Sequence, residues 1–131
     1  MSEHLVINPE IFREAEGLLA FAATHLLILA ERRLLRPHIK NPTVSKAINL
    51  TEHVLSYTTA PMGYNAVEHL LHLPNNIGWD TGLVWNITRS FLVDYYIPAR
   101  AWAAGRREEG AQWDQVIANN VGMAIYWGIT H

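Results

Sequence analysis

The chain has 131 residues, no cysteine, a net charge of −2, and a composition that is 50% hydrophobic and 17% charged. That length is one domain, 1–131, with room for a proper core, and the composition is too apolar for disorder. The lack of cysteine excludes a disulfide scaffold, zinc–thiolate sites and a cysteine nucleophile, and the small net charge does not call for a highly charged partner.

Met1-Ser2-Glu3-His4 opens without the basic and hydrophobic order of a signal peptide. The most apolar stretch, Gly17 to Ala30, is too short for a bilayer span and contains His25. The expectation is a soluble, cytoplasmic protein with no transmembrane segment.

Asn8-Pro9-Glu10 has the order of a helix start: an N-cap, proline at the first helical position, then an acid in the first turn. The first helix is expected to run to Arg36, where Pro37 stops it. From Leu18 to Ala30 apolar residues cover nearly its whole circumference, which places it at the centre of the fold. Asn41-Pro42 repeats the start signal, and the second helix is expected to end before Ala60-Pro61. Met62-Gly63-Tyr64 reads as a turn. Asn65 and Glu68 fit a capping box that opens a short helix closed by Pro74.

Asp80 or Thr81 caps the next helix, with Leu83, Val84, Ile87, Phe91, Leu92 and Tyr95 as its apolar stripe. Pro98 kinks or ends it, and Gly105 stops any continuation. Trp113, Val116, Ile117, Val121, Ala124 and Ile125 stripe the last helix. Alternating strand patterns are missing. The fold class is therefore all-α: a helical bundle of four main helices plus one short one, with sequential helices antiparallel.

Three groups of residues can carry chemistry. Glu68, His69 and His72 share one helix face, and Glu52-His53 repeats the acid–histidine pair one helix earlier. Together these five form a candidate site for a divalent metal, although their order matches neither the Glu-x-x-His pairs of di-iron bundles nor His-Glu-x-x-His; a solvated helix face is the favoured reading. The second group is a pocket: His25 in its apolar stretch, paired with Asp94 and flanked by Tyr57, would be a proton-transfer site. A core histidine held by a neighbouring hydroxyl is the simpler alternative. Third, Arg32, Arg33, Arg36, Lys40 and Lys46 gather within fifteen positions. Cations collect at helix C-termini for electrostatic reasons, so nucleic acid is not expected as a partner.

The five tryptophans are many for this length. Trp127, Tyr126, Trp85 and Tyr96 fall beside or away from the apolar stripes, as aromatic residues of an interface do. No Gly-rich phosphate loop, nucleophile elbow or paired-carboxylate motif occurs. The functional expectation is a helical protein acting through protein–protein contacts as a subunit, inhibitor or adaptor, and self-associating as a homo-oligomer. The alternative is a small enzyme or ligand-binding protein with a His/Glu/Asp site in or beside the bundle.

Overall fold

The computed structural model describes residues 9–71 and 80–131, with side chains from residue 15. The helices are α1 Pro9–Ala30, α2 Pro42–Leu70, α3 Thr81–Phe91, α4 Ile97–Ala103 and α5 Trp113–Thr130. No strand occurs among the described residues, and the all-α bundle of four main helices and one short helix is what forms. None of the described helices is long and apolar enough to cross a membrane.

The short helix is α4, and no helix starts at Asn65, which lies within α2; the stop expected at Pro74 lies outside the described residues. α2 runs unbroken through Pro61 for 29 residues, correcting the expectation that it stops at Ala60. Proline has no N–H, so the Tyr57 carbonyl four residues earlier loses its helical donor. Asn86 of α3 replaces it, donating from Nδ2 to that carbonyl at 3.2 Å. A tertiary bond thus repairs the break, and Asn65 and Glu68 lie inside a helix rather than at its start. Pro98 is bypassed by a different device. A π-helical turn over Leu92–Tyr96, closed by Ile97 N–H on the Leu92 carbonyl, precedes it and carries the chain from α3 into α4. A second π turn, Glu31–Leu35, precedes Pro37 at the end of α1.

α2 is the hub, and α1, α3 and α5 each pack on it. This corrects the placement of α1 at the centre: none of its described side chains is buried. α1 and α3 run antiparallel to α2, while α5 runs parallel to it. His25 meets Ser56, Asn86 meets Tyr57 and His53 meets Asn119 at successive levels. Glycines allow the close crossings. A Cβ at Gly63 would collide with Phe21 of α1, and one at Gly82 with the Pro61 carbonyl; one at Gly122 would sit 2.5 Å from the Val54 carbonyl.

Most of the stripe residues expected to form the core face outward, Val116 being the buried exception. On α3 the buried positions are Gly82, Asn86 and Ser90, continued by Asp94 in the π turn. Val84, Ile87, Phe91 and Leu92 are exposed. On α5 the inward set is Val116, Ala118, Asn119, Gly122 and Tyr126, while Trp113, Ile117, Val121 and Ile125 look out. The interior is small and polar because its helices are drawn together by hydrogen bonds and glycine contacts rather than by large apolar side chains.

Candidate functional site

The interior polar residues form three clusters along α2. The middle cluster begins at His53, which is held 2.8 Å from Asn119 Oδ1 of α5 through Nδ1. An acceptor oxygen there requires that Nδ1 carry the proton. Asn119 Nδ2 in turn donates to both oxygens of Asp94, at 3.1 and 2.9 Å. Ser90 completes the Asp94 carboxylate at 2.6 Å. Asp94, Asn119 and Ser90 are all buried. One face of this group is Arg89, whose guanidinium lies 4.4 Å over the Tyr57 ring and 3.2 Å from the Tyr64 hydroxyl.

The second cluster closes the end of the bundle where α3 begins. Asp80 caps α3 by accepting from Leu83 N–H at 3.0 Å. The same carboxylate accepts from Asn65 Nδ2 at 2.8 Å, from His131 Nε2 at 3.1 Å and from the Tyr126 hydroxyl. Asn65 also donates to Tyr126 and accepts from Gly82 N–H. Burial pushes the Asp80 carboxyl up, but these donors outweigh it and hold the group below the ordinary carboxylate value. Beside it, Glu68 accepts from Trp85 Nε1 at 2.9 Å and from the Thr81 hydroxyl.

The third cluster lies at the opposite end. Glu52, 6% exposed, accepts from Arg32 at 3.2 Å and from Arg36 at 2.9 Å. Arg36 also grips Glu31, and its hydrogen bond holds the Glu31 carboxyl below its usual value. The basic residues at the end of α1 therefore secure that end to α2. Glu52 Oε2 is buried without a partner.

These contacts redistribute the residues singled out by sequence. His25 and Asp94 do not pair. His25 Nδ1 reaches the Phe21 carbonyl at 2.8 Å and its Nε2 takes Ser56 Oγ at 3.1 Å, so a neighbouring hydroxyl holds the ring, which is half-buried rather than in the core. Tyr57 is buried, but against Arg89 rather than beside His25. Glu52, His53 and Glu68 go to three different clusters, and His69 is exposed. Among the described residues no group of three His, Asp or Glu side chains could hold a metal ion; His72 lies outside the described residues. Trp127, Trp85 and Tyr96 are exposed. Tyr126 is not, being 3% exposed, because its hydroxyl is drawn inward to Asp80.

Sequence reasoning missed Asn65, Asn86 and Asn119. The available signal was the four-residue spacing of Gly82, Asn86, Ser90 and Asp94, a polar stripe as regular as the apolar one. Asn120, one position from Asn119, is exposed and bonds only to its own helix.

Asp80 accepts from four donors and Asp94 from Asn119 and Ser90, an arrangement that ties the helices together. Three clefts border the clusters. The largest, about 750 Å³, includes Glu16, Asn65, His69 and Tyr126 in its lining. Two apolar grooves of about 390 and 400 Å³ run between α1 and α2 and between α3 and α5. No protein-family model, no curated protein and no solved structure matches the chain.

Proposed function

We propose that the protein is a helical subunit that acts by association through its outer apolar surface, with the polar interior serving to hold the helices in register. One observation carries this reading. Among the described residues twenty-seven large hydrophobic side chains are exposed, whereas Tyr57, Val116 and Tyr126 are the only large ones among the buried hydrophobic residues. The accessible surface of the chain is 9419 Å²; a compact monomer of its mass would show about 7,000 Å². Apolar surface of this extent marks a contact face. The alternative of an enzyme or metal protein has less support, since Glu52, Asp80 and Asp94 hold helices together and no three described His, Asp or Glu side chains converge.

The test is to place charge on the outer face without touching the interior. Ile117→Glu and Phe91→Glu are expected to keep their helix content by circular dichroism and to lose association, read by native mass spectrometry and by binding to lipid. Variants that associate as the parent does would overturn the reading.

A further inference from the structure

Resting on that reading, we infer that the cover of the apolar surface is lipid hydrocarbon, and that the bundle spans a bilayer with the α1–α2 and α4–α5 connections on one side. Four observations converge.

The first is where the apolar surface lies. α1, α3 and α5 surround α2, and all three point large apolar side chains away from it: Leu26 and Leu27, Ile87 and Phe91, Ile117 and Ile125. A two-fold contact with a second copy covers one patch, about 800 Å² per partner. A hydrocarbon solvent covers every side at once.

The second is the position of ionised groups. Across residues 17–30, 47–67, 81–99 and 115–130 the only Asp, Glu, Lys or Arg are Glu52, Arg89 and Asp94. Glu52 and Asp94 are buried and paired, and Arg89 lies over Tyr57. Ionisable side chains inside membranes are few, face the bundle interior and pair there. Glycines at each crossing and interhelical hydrogen bonds are likewise how helices associate in lipid, where apolar side chains gain nothing from one another.

The third is length. α1 and α2 have 22 and 29 residues, α3 and α4 form one run over 81–103, and α5 has 18. At 1.5 Å per residue α1, α5 and the 81–103 run lie near the roughly 30 Å of a hydrocarbon core, and α2, at about 44 Å, is long enough to cross it with its ends outside.

The fourth is charge polarity. Lys46 bridges to Asp114 at 3.1 Å, which places the α1–α2 and α4–α5 connections at the same end. Arg32, Arg33, Arg36, Lys40, Lys46, Arg100, Arg106 and Arg107 lie at that end, eight of the ten Lys and Arg residues. The connection 71–80 at the other end has none. This is the bias of a cytoplasmic membrane face, and it suits anionic headgroups. No described helix is long and apolar enough to cross alone, so the span is a property of the assembled bundle. Lipid meets only the outer side, and the polar inner side is covered by neighbouring helices.

The experiment expresses the full chain and separates membranes from supernatant, with a carbonate wash. The purified protein is then mixed with phosphatidylcholine vesicles containing a minority of phosphatidylglycerol, with and without brominated acyl chains. Because the chain has no cysteine, Glu108→Cys and His131→Cys each supply a single thiol for impermeant labelling from one side. Retention in washed membranes, tryptophan quenching by brominated chains and labelling of the two thiols from opposite sides are expected. A carbonate-released oligomer that ignores vesicles would overturn the bilayer and leave association through the apolar surface standing. A vesicle-indifferent monomer would overturn both, and labelling of both thiols from the same side would overturn the span.

Discussion

Asp80 shows what a single side chain does in this fold. It caps α3 and gathers donors from α2 and α5 into one carboxylate. Its ionised form is favoured in the folded state, so its contribution is present above the ordinary value of 3.8 and is lost as pH falls through the lower folded value. Asp80→Asn is expected to cost about 1.5–3 kcal/mol at neutral pH, the range for hydrogen bonds to charged groups. It should also flatten the acid limb of the stability curve below about pH 4. Thermal unfolding of both proteins across pH 3 to 7 checks this; parallel curves would show that Asp80 is not the group responsible.

At the scale of the element, α2 survives Pro61 because another helix supplies the missing donor. That makes a coupling prediction. In the parent, Asn86→Ala leaves the Tyr57 carbonyl unpaired at a cost of about 1–3 kcal/mol. With Pro61→Ala the backbone N–H of residue 61 can serve that carbonyl instead, so Asn86→Ala should then cost less. A double-mutant cycle on unfolding free energies is expected to give a coupling of about 1 kcal/mol; additive costs would mean that the Asn86 bond does not compensate for the proline. The two π turns belong to the same class of solution, each preceding a proline the helix has to accommodate.

For the whole molecule, the inverted arrangement sets the stability. A bundle whose described residues put three large hydrophobic side chains in the buried core and twenty-seven outside gains little from burial until its surface is covered. Whatever covers the folded surface and not the unfolded chain stabilises by mass action. The unfolding midpoint is therefore expected to rise steeply on adding a mild detergent or lipid above its micellar or vesicular threshold. An unchanged midpoint would mean that the bundle needs no cover.

Much of the secondary structure was written in local chemistry. Asn41 accepts from the N–H groups of Thr43 and Val44, and Asp80 from that of Leu83, as their positions before α2 and α3 imply. Helix number, the all-α class and the two-faced periodicity of α3 and α5 follow from such signals because capping and period act over a few residues. Which face turns inward does not. A period shows that two faces differ, and the choice between them depends on what the other helices offer and on the medium outside. Glycine contacts, the asparagine and aspartate bridges from α3 and α5 to α2, and the glutamate–arginine bridge from α2 to α1 draw the polar faces together. Continuity at Pro61 likewise depended on a donor 29 positions from the carbonyl it serves, and His25 met Ser56 rather than Asp94 because α1 packs chiefly on α2. Those outcomes are decided by contacts between distant segments, which no local pattern encodes.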